Sequence, residues 1–557
     1  MKNNLFKNGA LIFLSQQTTI LSAAAAIMMN VAASRILGLF RDRLLATYFG
    51  SSSSLGVYFA AFRLPDMIFQ LLVMGALSTA FIPVITSLLT KKKSKLAWYV
   101  ASSVLNIGLI IFSFLAVLVF IFAKPLSRLI APGFDQAELN LMTSLTRIML
   151  LSQFFFILSN FLTGVLQSYK RFLIPALAPV LYNLGIIIGI VFFTPFLGIY
   201  GPTLGVVLGT LLHFVIQLPL ARSLGLKYRF LFDLKNQHVR EIGRLMIPRT
   251  IGLAVSQIDF TVDIILASLI STSSLIYFNF AQHLQLLPVG LFGATIAQAA
   301  LPTLAEQGVK KDLTNFKKTF LLCFHQILFL VLPCSVLLII LRIPAVRLVF
   351  GAARFDWEAT VLTGKVLATF SLSLFAQSLV HLLARAFYSL HDSKTPVIIG
   401  AISVLTNVLV SLYLILIVKL PVWGLGLSTS IANILNALLL LIYLDKKVNF
   451  FDRKQLLIPT FKIFSVSFIT AFALYVPMKL MDKLVFDTTR VSGLLLLTGL
   501  TGLFGLGVYL FLAWLFRINI LKNFFALLER LEKFQKSLRG KSLEPIEVLD
   551  ESVEFHS

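Results

Sequence analysis

Between Trp98 and Phe122 the chain reads WYVASSVLNIGLIIFSFLAVLVFIF, a run without a single charge, directly after Lys91-Lys92-Lys93-Ser94-Lys95. A helix of that length crosses about 30 Å of hydrocarbon. A chain in lipid must satisfy its own backbone as helix or closed barrel. The run shows no two-residue alternation of the kind a barrel strand requires. It reads as a membrane-spanning helix with a lysine anchor on one side.

The same pattern recurs along the whole chain. Further spans are expected near 20–48, 56–90, 140–168, 173–195, 201–221, 246–270, 275–305, 317–341, 358–389, 395–418, 422–444, 459–481 and 492–516, which makes about fourteen. Composition agrees: of 557 residues, 58% are hydrophobic and 13% charged. A soluble domain carries about 25% charged residues. The net charge of +24 does not point to nucleic acid, because the basic residues fall in alternate short loops. Roughly 30 lie on one side and about 9 on the other, which puts both termini in the cytoplasm. Met1–Gln17 shows no signal-peptide cleavage pattern. Cys323 and Cys334 are roughly 16 Å apart along one helix, too far to bridge. From Ile518 an interfacial amphipathic helix is expected, and Glu544–Ser557 reads as disordered.

Laid on itself, the chain repeats. Tyr58-Phe59 and Pro83 match Tyr277-Phe278 and Pro302 at an offset of 219. Ser51–Ser54 matches Ser271–Ser274, and Asn183 matches Asn407. Gly201, Gly205 and Gly209 match Gly424, Ser428 and Ala432. Six spans separate the copies, so the repeat is parallel, about an axis along the membrane normal. The expected architecture is an all-α polytopic membrane protein. Two pseudo-symmetric six-helix lobes, 1–225 and 226–450, surround a central cavity. Helices thirteen and fourteen (451–517) and the tail (518–557) follow.

Ionisable groups inside spans mark cavities or ion paths. Span one carries Arg35, Arg41, Asp42 and Arg43, with Arg35 and Asp42 on one helix face. Span two carries Arg63 and Asp66 around Pro65, whose missing N–H opens the helix. Span seven holds Asp259 and Asp263 at i, i+4. That pair requires a cation, a proton or a basic partner, for which Arg249 is one candidate. His213 and His283 are ambiguous by spacing alone. Arginines inside a membrane suit phosphate and diphosphate. No Walker loop, HExxH or serine–histidine constellation is present, which argues against an enzyme.

The stretch Ser34-Arg-Ile-Leu-Gly-Leu-Phe-Arg-Asp-Arg-Leu-Leu-Ala-Thr-Tyr-Phe-Gly50 resembles the MurJ/MviN lipid II flippases of the MOP exporter superfamily. So do Phe59–Pro65, Gly75–Ser78, Ala80–Val84, Ala131–Phe134, Arg171–Pro179, Val255–Ile258, Ala386–Ser389 and Lys394–Pro396. The resemblance implies a bacterial inner-membrane flippase that moves the undecaprenyl-diphosphate-linked peptidoglycan precursor to the outer leaflet for cell-wall synthesis. It also implies a lipid-tail groove at helices thirteen and fourteen, with membrane lipids and cell-wall synthesis proteins as partners. Arg35, Arg41 and Asp42 fall on the family's first-helix motif. The chain departs from the family at Gly56 (usually aspartate), Phe69 (arginine), Met74 (glutamate) and His283 (arginine).

The expected cavity residues are therefore Arg35, Arg41, Asp42, Arg63 and His283. A coupling cation, sodium or a proton, is expected at Asp263 with Asn407 and Thr429; no other cofactor is implied. Alternating access between the lobes is the expected mechanism. A flippase for another lipid-linked oligosaccharide, or an ion-coupled exporter, is the alternative. A non-transporting scaffold is a third reading, which the lack of long cytoplasmic domains disfavours.

Overall fold

The computed structural model describes residues 20–74, 80–484, 491–518 and 520–521. The N-terminal segment, the Gly75–Ser78 motif and nearly all of the expected interfacial tail lie outside them, as does the Arg249 side chain.

The described residues are helices, with no sheet among them. The first half comprises α1 (Ile20–Phe49), α2 (Ser53–Ala61), α3 (Arg63–Phe69), α4 (Ile82–Thr90), α5 (Ser94–Ile121), α6 (Ala123–Ile130), α7 (Gln136–Ser168), α8 (Leu173–Ile188), α9 (Thr194–Leu197), α10 (Tyr200–Val215) and α11 (Leu218–Ser223). The second half comprises α12 (Gln237–Ile270), α13 (Ser274–Pro288), α14 (Thr295–Val309), α15 (Leu313–Ile340), α16 (Arg342–Phe350), α17 (Trp357–Ser371), α18 (Leu374–Ser389), α19 (Lys394–Leu412) and α20 (Trp423–Lys447). Then come α21 (Arg453–Leu484) and α22 (Val491–Leu515).

Each of the fourteen expected spans is helical where described, and three of them are interrupted, one of these at Ile216–Gln217 between α10 and α11. Pro65 cannot donate to the carbonyl four residues back, and its ring crowds that carbonyl. The break accordingly falls at Phe62, between α2 and α3. At Leu372–Ser373 the axis bends by 43°. There Ser371 and Ser373 hydrogen-bond back to Leu367 and Phe370 carbonyls, which bends helices. Among the described residues 12 helices are long and apolar enough to cross a membrane, or 13 with the bent pair taken as one. Fourteen is reached only by adding α1, whose second half carries Arg35, Arg41, Asp42 and Arg43. The short helices α6 and α16 were not foreseen.

Local irregularities recur at the repeat interval. π-Helical turns occupy Gln70–Met74 and Val289–Ala294, and again Gly189–Phe193 and Tyr413–Ile417. Asp135 and Asp356, 221 residues apart, each cap a helix by accepting a backbone N–H. Lys92 and Lys311, and Lys170 and His391, take left-handed backbone. Each ends a helix, and the next residue's N–H bonds five residues back, as at Lys93 to Leu88 and Asp312 to Gln307. Glycine usually fills this position. The three lysines instead complement the helix dipole and place charge at the basic end of the bundle.

The closely packed helix pair of each half is built differently. A Cβ on Gly185 would lie 2.3 Å from the Gly209 Cα, so α8 and α10 touch backbone to backbone. In the second half Ser411 and Ser428 hydroxyls meet at 2.6 Å between α19 and α20. Both are small-residue contacts of the kind lipid-immersed helices use. They fix α8 and α19, which carry Asn183 and Asn407.

One apolar core spans the first half and continues into the second near the serine-rich loops Ser51–Ser54 and Ser271–Ser274. There Phe280 stacks on Phe350 at 4.3 Å and meets Phe59 edge-on at 5.7 Å. A separate core holds the rest of the second half together with α21 and α22. The halves share this core at the serine end, and the start of α12 also packs on the first half, where Val239 and Ile242 join the same core and Thr250 donates to the Leu71 carbonyl at 3.2 Å.

Candidate functional site

The site is built from α1 outward. Asp42 is 1% exposed. A buried carboxylate needs partners for both oxygens. Arg41 donates to Oδ1 from Nε and Nη2, at 3.0 and 2.8 Å. His283 on α13 donates to Oδ2 from Nδ1 at 2.7 Å. The remaining fork of Arg41 reaches Asn183 Oδ1 on α8 at 3.1 Å. Asn183 in turn donates to Ser34 on α1. Arg41 is thereby held at two points while part of its guanidinium faces a cavity of about 220 Å³.

Asp66, Tyr58, Tyr182 and Asn279 also line that cavity. A second cavity of about 240 Å³ shares Phe59, Phe62, Asp66 and Asn279 with it and adds Arg63, Gln70, Gln257 and Gln282. The two adjoin across these shared residues, and both have polar groups and aromatic walls drawn from the two halves. Arg63 is 7% exposed and crosses between them: Nε donates to Thr261 Oγ1 at 2.9 Å and Nη2 to the Gln257 carbonyl at 2.6 Å. Gln153 donates to Asp66 at 2.9 Å.

The serine end is closed over this space. A Cβ on Gly56 would lie 2.2 Å from the Thr272 carbonyl oxygen, and one on Gly133 would lie 2.0 Å from that of Ser268. Ser273 donates to the Ser51 carbonyl at 2.7 Å and Thr272 to Glu138 at 2.8 Å. Arg43 reaches the Leu348 carbonyl and Arg354 the Tyr48 carbonyl.

A second polar cluster lies on α12. Asn407 donates to Asp259 Oδ1 at 2.8 Å. Asp263, one turn along, is 4% exposed. Its Oδ1 and the Asn407 Oδ1 are buried with no hydrogen-bond partner. Such orphaned acceptors call for an explanation, and an ion or water is the usual one. The donor set, two carboxylates and an amide oxygen, consists of hard oxygen donors of the kind a hard cation takes.

The structure joins Arg41, Asp42 and His283 in one cluster at the first cavity, with Arg63 lining the adjoining one, and sets Asn407 against the α12 carboxylates at Asp259. Arg35 is exposed on α1 and does not pair with Asp42, because the adjacent Arg41 folds back onto that carboxylate. Thr429 spends its hydroxyl on the Leu425 carbonyl of its own helix. Phe69 is buried in the core, edge-on to Phe156, and lines neither cavity. Tyr58, Tyr182, Gln257 and Asn279 as lining, and Gln153 as the partner of Asp66, were not foreseen; nothing in their spacing distinguishes them from ordinary packing.

At α21 and α22 an open groove of about 530 Å³ is lined by Leu457, Ile458, Phe461 and Phe516, with Lys462 at its edge. The Lys462 ammonium donates to the Phe516 carbonyl at 3.0 Å.

The family model described as lipid II flippase MurJ matches residues 45–496. Lipid II flippase MurJ of Burkholderia cenocepacia is 30% identical over 430 residues, covering 74% of this chain and 81% of the relative. The probable lipid II flippase MurJ of Haemophilus influenzae is 28% identical over 448 residues, covering 76% and 86%. A solved lipid II flippase MurJ in an inward closed conformation superposes with a TM-score of 0.75 at 29% identity, covering 89% of this chain and 99% of that one. An inward-facing multidrug resistance MATE transporter of the MOP superfamily matches with a TM-score of 0.62 at 15% identity, over 76% of this chain and 98% of that one; that likeness shows the fold alone.

Proposed function

The chain belongs to the lipid II flippase MurJ family, and from that premise we propose how its cavity carries the substrate. It is a multi-pass membrane protein and a lipid II flippase. One observation carries the mechanism: the Arg41 guanidinium, fixed by Asp42 and Asn183, faces a space enclosed by both halves.

Arg41 keeps N–H groups beyond those used by Asp42 and Asn183, and a guanidinium fork matches phosphate oxygens. The diphosphate of the lipid binds there and the aromatic walls exclude water. In a space of low dielectric the attraction is stronger than in water. The basic end faces the cytoplasm of the bacterial inner membrane and the serine end faces outward. The present form is closed outside. Parting the Gly56–Thr272 and Gly133–Ser268 contacts releases the headgroup to the outer leaflet, by rocking of one half against the other. The prenyl tail stays in lipid along the groove of α21 and α22. The chain's own residues bind and orient, and no bond is made or broken.

The α12 cluster is the coupling-cation site. Asp42 and Asp263 are 221 residues apart, at the repeat interval. In the first half the carboxylate has Arg41 as a built-in cation; in the second an oxygen is left open. Asp259, Asp263 and Asn407 would hold a sodium ion, which supplies the positive charge that Arg41 supplies in the other half.

The test is complementation of a strain depleted of its own lipid II flippase. The wild type is expected to rescue growth, and Arg41→Ala, inserted at the same level, is expected not to. Failure of a well-inserted wild type would shift the substrate to another lipid-linked anion.

A further inference from the structure

Arg63 belongs to the first half by sequence and to the second by contact. It stands at the start of α3, just past the break at Phe62, yet both of its hydrogen bonds go to α12. The Gln257 carbonyl that it engages also accepts the Thr261 hydroxyl at 2.7 Å. Gln257 and Thr261 are one turn apart on one side of α12. At 100° per residue, Asp259 and Asp263 lie roughly on the opposite side. So α12 is held from two directions: Arg63 pulls from the first half, while Asn407 sits against the carboxylates from the second.

Arg63 makes no ion pair with Asp263, but the Thr261 hydroxyl that it engages stands two residues from Asp263 on α12. Arg63 also lines the cavity that adjoins the Arg41 space. The same guanidinium is therefore within reach of α12 and of an anion in the cavity.

We propose that Arg63 is the coupling residue between the two sites, a positioning residue that holds α12 when the cation is absent and turns to the lipid diphosphate when the cation is bound. This rests on the cation-site reading above. A cation at Asp259 and Asp263 repels the guanidinium and draws α12 toward α19, and both effects loosen the grip of Arg63. An anion in the cavity takes the freed fork. By linkage each ligand then favours the other by the same factor.

The experiment measures sodium binding to the purified full chain in nanodiscs, with and without undecaprenyl diphosphate. Wild type, Asp263→Asn, Arg63→Gln and Thr261→Val are compared. In the wild type the lipid is expected to lower the half-saturating sodium concentration about five-fold or more. Arg63→Gln is expected to bind sodium more tightly than wild type without lipid, and to lose the lipid effect. Thr261→Val removes one acceptor of Arg63 without touching the first half, and is expected to shift sodium binding in the same direction by less. An undiminished lipid effect in folded Arg63→Gln overturns the proposal while leaving the cation site standing. Wild-type-like sodium binding in Asp263→Asn overturns the cation site, and this proposal with it.

Discussion

His283 on α13 and Asp42 on α1 meet at 2.7 Å across the boundary between the two halves, 241 residues apart in the chain. The contact ties the anion-binding arginine of one half to a helix of the other. Replacing His283 by alanine leaves Asp42 with Arg41 alone and opens the cavity wall. Loss of a hydrogen bond to a buried charge costs about 1.5–3 kcal/mol, roughly 10- to 150-fold in binding. His283→Ala is expected to fail in complementation or to weaken undecaprenyl diphosphate binding by that order. His283→Arg, which can still donate to Asp42 and adds a cation, is expected to retain both. Equal loss in the two variants would mean that the imidazole itself is required.

Gly56→Ala tests the closed serine end. The new methyl would lie 2.2 Å from the Thr272 carbonyl oxygen, and backbone cannot yield as a flexible side chain can. Overpacking of this kind costs about 1–3 kcal/mol, here charged only to the closed form. The population closed at this end should fall correspondingly. Ser268→Cys, buried in the closed form, in a background with Cys323 and Cys334 replaced by serine, reports the opening through a membrane-impermeant maleimide. Labelling is expected to quicken several-fold in Gly56→Ala. An unchanged rate would mean that this contact does not hold the gate.

Asp392 sets an acid limit on the basic end. It lies in the loop between α18 and α19, where Lys447 donates to it at 2.6 Å and Thr395 donates from both amide and hydroxyl. Partial burial works against its charge, but these donors prevail and hold the carboxyl down at about 2. A carboxyl depressed in the folded state stabilises above its unfolded value of about 3.9. That contribution is lost as pH falls toward 2. The difference in melting temperature between wild type and Asp392→Asn is expected to be constant above about pH 4 and to shrink between pH 4 and 2. A difference that stays constant down to pH 2 would contradict this.

The helices were legible because lipid leaves the backbone few choices, so apolar length alone placed each span within a few residues except at the starts of α12 and α21, where polar turns precede the apolar run. The break at Phe62 was legible through Pro65. The bend at Leu372 was not, since serines back-bond only in a context that spacing does not reveal. The helix stops before Lys92 and Lys170 were legible, at residues 90 and 168, because the apolar run ends there, whereas the helix before Lys311 runs past the expected 305 to Val309. In the site, the first-helix motif pointed to Arg41 and Asp42. It could not show that Arg41 rather than Arg35 folds onto Asp42, because both spacings are sterically open. Contacts between halves, such as Arg63 to Gln257, join residues with no shared local pattern and appear only in the fold.

The two asparagines of the repeat give opposite predictions for one substitution. Asn183 accepts from Arg41 through its oxygen, whereas Asn407 donates to Asp259 through its nitrogen. A carboxylate can accept but not donate when ionised. Asn183→Asp keeps the bond to Arg41 but loses the donation to Ser34 and adds a negative charge beside Arg41. It should cost some stability, and anion binding and rescue of growth should be lost. Asn407→Asp removes the donor and puts a third carboxylate beside Asp259 and Asp263, where like charges repel. That protein should be less stable without cation and should gain more on adding it, since a ligand bound only by the folded state stabilises in proportion to RT ln(1 + [L]/Kd). Melting temperatures with and without sodium decide the matter. A sodium-induced rise larger in Asn407→Asp than in wild type, and unchanged in Asn183→Asp, is expected. Equal rises in all three proteins would place the cation elsewhere than on α12.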